Sequence, residues 1–240
     1  MYKEGSNPRK EGDKISPWHG LAKWKLKAAE VLKTIPGLNF VILRLPHVYG
    51  EYDPGYFAMG ICMARVHLDL EKDLELLYTK DLKVNTLYVK DAASALWTAA
   101  EWRSTKGAIP PEEVPVFNVV DHGDTRQEHV ADALSEVFGL KCSFLGSLAS
   151  QFAKMNLDDV VDDLNEINLQ TWAELIEQKA IERPGPISPF LERDVLKDQD
   201  MSIDGSLFES TTGWKPTRER FDADGVRAMV ESYKRMGWWP

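Results

Sequence analysis

Apolar positions in residues 18–33 (WHGLAKWKLKAAEVLK) fall at Leu21, Trp24, Ala28 and Leu32. Steps of three and four residues place them on one side of a helix, with Lys23, Lys27 and Glu30 largely off it. The pattern predicts a helix starting at Ser16-Pro17, where proline suits a first turn, and stopping at Pro36-Gly37. The period then changes. Residues 39–45 (NFVILRL) form a nearly continuous apolar run with β-branched residues, which reads as a strand buried on both faces. Pro46 ends it, because proline cannot continue a central ladder.

Further along, 56–67 read as a helix, 69–78 as mixed, and 84–90 (VNTLYVK) as a strand or an extended entry. Asp91 is then placed to cap the alanine-rich helix AASALWTAAEW. Residues 115–120 (PVFNVV) predict a second buried-type strand, DHGDT a turn, and 125–138 a helix closed by Gly139. Residues 147–183 read as helical with an acidic centre (Asp158, Asp159, Asp162, Asp163), 184–200 as irregular, and 206–214 as a short helix and turn. Residues 217–236 predict an amphipathic helix carrying Val226, Met229, Val230 and Tyr233. The alternation of helix and strand from 18 to 138 is the α/β pattern.

Charge narrows the partners. With 29 Lys+Arg against 38 Asp+Glu, the net charge is −9, which argues against a nucleic-acid-binding surface. No apolar run approaches the roughly 20 residues of a membrane helix, so no membrane partner is expected. The start of the sequence is polar and carries no secretory signal. Cys62 and Cys142 cannot build a disulfide framework, so a reducing, cytoplasmic setting is expected.

Candidate chemistry gathers after the first apolar strand. HVYGEYDPGY lies at its C-terminal end, where ligands bind in open α/β sheets. His47 is a polar group there; Tyr49 and Tyr52 read as packing or rim residues as readily as ligand contacts. Arg65 and Arg126 are candidate anchors for a substrate phosphate, or ordinary solvated arginines. The Asp158–Asp163 group lacks the spacing and glycine of a calcium loop, and His67, His122 and His129 have no zinc-like spacing with either cysteine; no metal is expected.

Three segments occur in a telling order: Pro17…Lys25…Glu30, then Leu43-Arg44-Leu45-Pro46-His47-Val48-Tyr49-Gly50, then Leu87-Tyr88-Val89-Lys90-Asp91-Ala92-Ala93-Ser94-Ala95. Together they resemble the extended short-chain dehydrogenase/reductase family, also called the NAD-dependent epimerase/dehydratase family. Phe117-Asn118-Val119-Val120 and Thr212-Gly213-Trp214-Lys215-Pro216 add to the resemblance. It implies an α/β fold: a partial Rossmann-like parallel sheet lacking its first strands, with a smaller, mostly helical substrate-side region. Residues 1–140 would be the C-terminal part of an NAD(P)-binding domain, with a substrate-side excursion near 51–86, and 141–240 the helical region. The implied cofactor is NAD or NADP, and the implied substrate a small molecule such as a nucleotide sugar, oxidised, reduced, epimerised or dehydrated.

Two departures qualify what is implied. No G-x-x-G-x-x-G string, the turn that holds the dinucleotide pyrophosphate, occurs in the sequence, and Met1-Tyr2-Lys3 resembles the segment after the family's fourth strand. The catalytic Tyr-x-x-x-Lys pair also lacks its tyrosine. Aligning Lys25 puts Leu21 at the tyrosine position, and aligning Lys23 puts His19 there. By resemblance, Lys25 would bind the nicotinamide ribose, and His19 could move a proton in place of the tyrosine. Pro46, His47 and Val48 would meet the nicotinamide end, and His47, Tyr49, Arg65 and Arg126 the substrate. Two functions stand side by side: an epimerase/dehydratase-like oxidoreductase, or a catalytically degenerate binding or scaffolding protein of the same fold. The chain alone is expected to be inactive. Its apolar strand 39–45, left partly uncovered, is expected to drive self-association, with a homo-oligomer as one outcome.

Overall fold

The computed structural model describes Tyr2 and residues 5–107, 110, 113–146, 157–193 and 201–240. The elements run β1 (Gly5–Arg9), α1 (Gly20–Lys33), β2 (Ile42–Arg44), β3 (His47–Tyr49), α2 (Tyr56–Asp69), β4 (Leu74–Leu76), β5 (Thr86–Tyr88) and α3 (Val89–Ser104). They continue with β6 (Val116–Asn118), α4 (Gln127–Phe138), β7 (Cys142–Phe144), α5 (Leu157–Gln178), β8 (Met201–Ile203), α6 (Ser206–Thr212) and α7 (Ala223–Arg235). The chain is α/β, and it divides into two compact units.

The first unit comprises Met1–His47, Lys83–Asp124 and Gln199–Arg220. Here β2 and β6 pair in parallel, with Ile42 opposite Val116, Leu43 opposite Phe117 and Arg44 opposite Asn118. β1 pairs in parallel with β8. Phe117 packs edge-on to Trp102 at 5.3 Å and touches Phe208, which meets Trp214 at 5.5 Å. Leu87, Ala95, Ala99 and Val119 complete a buried core.

The second unit comprises Val48–Leu82, Thr125–Asp198 and Phe221–Pro240. β4 and β7 pair in parallel with Leu74 opposite Cys142. Its core is aromatic: Phe57 stacks on Phe221 at 4.3 Å, and Tyr49 meets both rings edge-on. α7 buries Val226, Met229, Val230 and Tyr233, the face its sequence predicts. It starts at Ala223 rather than 217, because the Asp222 carboxylate accepts the Gly225 N–H at 2.8 Å and fixes the first turn there. Phe57→Ala should cost about 3–5 kcal/mol, because it leaves a hole beside two rings that cannot close it; urea unfolding measures the loss, and a cost under about 1 kcal/mol would show the stack to be loose.

Several sequence expectations change. α1 starts after His19, not at Ser16-Pro17. The stripe Leu21, Trp24, Ala28 and Leu32 faces outward, and the helix turns Ala22, Leu26 and Ala29 towards its own unit instead. β2 spans 42–44 rather than 39–45 and is half-buried rather than buried, since among the described residues it pairs on one edge only. Asp91 does not cap α3; Tyr88 holds that position and Asp91 lies within the first turn. Its carboxylate is engaged elsewhere, accepting the Thr217 hydroxyl at 2.6 Å and the Arg218 N–H at 3.0 Å. Gly139 closes α4 as expected, in the left-handed region (φ 67°) that glycine adopts without a Cβ penalty. The helix expected over 147–183 is seen from Leu157; residues 147–156, and 194–200 of the irregular stretch, lie outside the described residues. The Asp162 carboxylate is engaged by Arg193 at 2.7 Å.

Candidate functional site

In the first unit, His19 shapes the start of α1. Its backbone is extended (φ −133°, ψ 166°), and Nδ1 accepts the Ala22 N–H at 3.3 Å. An accepting Nδ1 leaves the proton of the neutral ring on Nε2. Lys25 stands on the same helix, solvent-exposed, four residues beyond Leu21, which is 60% exposed. Residues four apart share a helix face, so the lysine head has an apolar neighbour where an acid/base tyrosine would sit in the family's arrangement.

The carboxyl ends of β2 and β6 carry a polar cluster. Arg44 Nη1 donates to the Tyr2 phenol oxygen at 2.5 Å and to the Glu11 carbonyl at 3.0 Å. The Tyr2 hydroxyl donates to Asn118 Oδ1 at 2.6 Å. Asn118 Nδ2 donates to the Arg9 and Asp204 carbonyls at 2.9 and 3.1 Å, and its N–H donates to the Glu11 carboxylate at 2.8 Å. Burial pushes the Tyr2 phenol up, partly opposed by the Arg44 guanidinium. These residues tie the 2–11 segment across the end of a parallel pair. Sequence reasoning missed the cluster; the available signal was a polar residue in register at the end of each of two apolar strands.

Beyond β2, the His47 N–H donates to the Asn85 carbonyl at 3.2 Å. Burial pushes the imidazole down to about 4, so at neutral pH it is an uncharged hydrogen-bonding group. Pro46 beside it is half-buried. Asp121, after β6, is a further buried group: Oδ2 accepts the Thr86 hydroxyl at 2.5 Å and Oδ1 the Gly123 N–H at 3.1 Å. Burial pushes this carboxyl up to about 6.

In the second unit, Val48 is half-buried and Tyr49 is fully enclosed by Phe57 and Phe221. The loop after it is held by α7. The Tyr52 N–H donates to Ser232 Oγ at 2.9 Å, the Arg235 guanidinium lies 5.6 Å over the Tyr52 ring, and the Tyr233 hydroxyl donates to the Asp53 carbonyl at 2.5 Å. Burial lifts both the Tyr233 phenol and the Asp53 carboxyl. On α2, Arg65 Nε donates to the Pro240 carbonyl oxygen at 3.2 Å, and Nη1 lies 3.5 Å from Asp69. Arg126 precedes α4; its N–H donates to His129 Nδ1 at 3.2 Å, and Nη1 lies 3.6 Å from Asp81.

The structure therefore places His19 at the N-cap of α1 and Lys25 on the helix six residues later, and Pro46 and His47 next to each other beyond β2. Val48 and Tyr49 lead into the loop held by α7, while Arg65 sits on α2 and Arg126 just before α4, each beside an acidic partner. Among the described residues, no three His, Cys, Asp or Glu side chains gather as a metal ion would need. No described helix is long and apolar enough to cross a membrane.

Comparison with solved structures gives the fold a context. Pal from Bacillus thuringiensis is 14% identical with a TM-score of 0.61, and 98% of this chain covers 60% of its chain. UDP-glucuronic acid 4-epimerase from Bacillus cereus, in complex with UDP-glucuronic acid and NAD, is 17% identical with a TM-score of 0.59, and 98% of this chain covers 59% of its chain. RMD from Pseudomonas aeruginosa, complexed with NADPH, is 14% identical with a TM-score of 0.54, and 94% of this chain covers 60% of its chain. At such identities the likeness is one of fold, and this chain spans about three fifths of the length of those chains. No curated protein matches the chain. The sequence profile described as the NAD dependent epimerase/dehydratase family matches residues 1–118, a stretch that holds α1, the RLPHVYG strand end and the start of α3. Over those residues, just under half of its length, the chain is similar to the NAD dependent epimerase/dehydratase family.

Proposed function

We propose that the chain serves an NAD- or NADP-dependent epimerase or dehydratase reaction on a small molecule such as a nucleotide sugar. The observation that carries this reading is the RLPHVYG strand end at the carboxyl edge of a parallel pair, inside the stretch that matches the family. A fold shared with an epimerase bound to UDP-glucuronic acid and NAD, and with an NADPH complex, supports it. In this reading residues 1–140 serve the nicotinamide side, with 51–86 turned to substrate, and 141–240 serve the substrate side.

The residues present fit only part of a dinucleotide. No glycine-rich turn for the pyrophosphate occurs in these 240 residues, so the chain by itself offers the nicotinamide-ribose end alone. A bound nicotinamide supplies reversible hydride transfer. Lys25 would hold the ribose hydroxyls by charge-assisted hydrogen bonds, and the Nε2 proton of His19 would be the one exchanged with substrate. Pro46, the neutral His47 and Val48 would line the nicotinamide end. Tyr49 would set the root of the substrate loop by packing. Arg65 and Arg126 would exchange their protein partners for an anionic substrate group.

Nicotinamide mononucleotide tests this directly, because it carries the ribose end without the pyrophosphate. Saturation-transfer NMR should show weak binding to the chain, and Lys25→Ala should weaken it about tenfold, the loss of one charge-assisted contact. No binding, or equal binding by the variant, would contradict the assignment.

A second reading is a degenerate binding or scaffolding protein. Leu21 favours it, since Lys25 is the better-fitting lysine and leucine has no proton to give. It predicts no turnover by the protein from its native source, and no effect of His19→Ala beyond the lost cap.

A further inference from the structure

In the second unit, the loop after β3 holds one residue in a conformation its side chain resists. Tyr52 has φ 68°, in the left-handed region, where a bulky residue crowds its own backbone. Such strain persists only where neighbours enforce it, and it gathers at active sites and ligand clamps. Here α7 enforces it. Ser232 Oγ accepts the Tyr52 N–H at 2.9 Å, and the Tyr233 hydroxyl donates to the next carbonyl, that of Asp53, at 2.5 Å. Arg235 Nη2 donates to the Tyr52 hydroxyl at 3.3 Å, with the guanidinium 5.6 Å over the ring. None of this builds the core. Tyr52 is 48% exposed, whereas Tyr49, three residues earlier, is 0% exposed between Phe57 and Phe221. The structure thus separates two tyrosines that the sequence left alike.

Arg235 differs from its neighbours on α7. Arg227 is paired with Glu136 and Asp224, and Lys234 with Glu231. Among the described residues Arg235 makes no ion pair and spends its guanidinium on Tyr52. The residue is exposed, so the rest of its N–H fork stays open to a ligand. We infer that Tyr52 is a substrate contact, a platform on which the sugar ring of the substrate lies, and that Arg235 is the positioning residue that holds it. A sugar ring offers an apolar C–H face to an aromatic ring and hydroxyls to a neighbouring N–H fork. Glu51 and Asp53 flank Tyr52 in sequence, so the loop repels a phosphate and favours the uncharged part of the substrate. This inference deepens the proposed function and rests on it for the class of substrate.

Saturation-transfer NMR with methyl β-D-glucopyranoside on the 240-residue chain tests it. Transfer to the sugar ring C–H protons should be saturable, and inorganic phosphate should not compete. Tyr52→Phe keeps the platform and should bind within about twofold of the parent. Tyr52→Gly should bind about tenfold more weakly. Its urea midpoint should be no lower than the parent's, because glycine takes the left-handed conformation without strain. Arg235→Ala should weaken binding about threefold, and Arg235→Lys, which keeps a cation beside the ring, should restore most of it. No saturable transfer, or equal binding by Tyr52→Gly, overturns the inference. So does a lowered urea midpoint for Tyr52→Gly, which would make the tyrosine a structural residue. Competition by phosphate does so too, and would make the loop an anion site. The nicotinamide mononucleotide test addresses α1 instead. Glucoside binding without nicotinamide mononucleotide binding would sink the nicotinamide assignment alone, and the reverse would sink this inference alone.

Discussion

Asn118→Ala should destabilise the protein by about 2–4 kcal/mol. Asn118 is fully buried, and its side chain satisfies three groups at once: the Arg9 and Asp204 carbonyls and the Tyr2 hydroxyl. Alanine removes the side-chain donor to the Asp204 carbonyl, at about 1–3 kcal/mol for an orphaned polar group, and leaves the Arg9 carbonyl with only the Asp204 N–H at 2.9 Å. Tyr2→Phe removes two bonds from the same cluster, the one donated to Asn118 Oδ1 and the one accepted from Arg44, and should cost about 1–2 kcal/mol. Urea midpoints for the two variants check both values. A loss under about 1 kcal/mol for Asn118→Ala would show that the 2–11 segment is not fastened to the strand ends, and the account of that cluster would fall.

The second large effect depends on pH and comes from Asp121. Its carboxyl titrates near 6 in the folded protein against 3.8 when unfolded, because burial disfavours the charged form more than the Thr86 hydroxyl and Gly123 N–H favour it. The folded state therefore holds its proton to higher pH than the unfolded state. Between about pH 4 and pH 6 the folded form binds more protons, so stability falls as pH rises and then levels off. The gap between the folded and unfolded titrations corresponds to roughly 2–3 kcal/mol, an upper bound for this one group. Asp121→Asn should remove that slope and be more stable than the parent at pH 7, with little difference at pH 4. Thermal unfolding of both proteins across this range measures it. A constant offset between the two curves would mean that Asp121 keeps an ordinary carboxylate behaviour.

Local signals carried much of the architecture. The run 39–45 contains β2, Gly139 closes α4 in the conformation glycine favours, and the apolar face of α7 is the one its sequence shows. The failures have a common cause. α1 has two apolar sides, a narrow one of Ala22, Leu26 and Ala29 and a wider one of Leu21, Trp24, Ala28, Val31 and Leu32. Periodicity ranks the wider side as the core face, but which side meets this chain is decided by partners distant in sequence. Asp91 has the residue type of a cap, yet its carboxylate is claimed by Thr217 and Arg218, far along the chain. The Arg44–Tyr2–Asn118 cluster likewise joins residues 42 and 116 positions apart, which no local pattern reveals.

The candidate site divides the same way. The strand-end residues Pro46, His47 and Val48 were legible because proline and an apolar run mark where a strand stops. Arg65 and Arg126 were chosen by residue type alone, and in the structure each has an acidic side chain close by.

The central claim is that this protein works with a nicotinamide nucleotide. The direct test is to isolate it from its native source without dialysis against charcoal, denature it, and identify any released nucleotide by mass spectrometry, with a parallel NADH fluorescence titration. The account predicts NAD or NADP in the released fraction, or saturable NADH binding by the emptied protein. Neither a released nicotinamide nucleotide nor NADH binding would contradict it, and the binding or scaffolding reading would take its place.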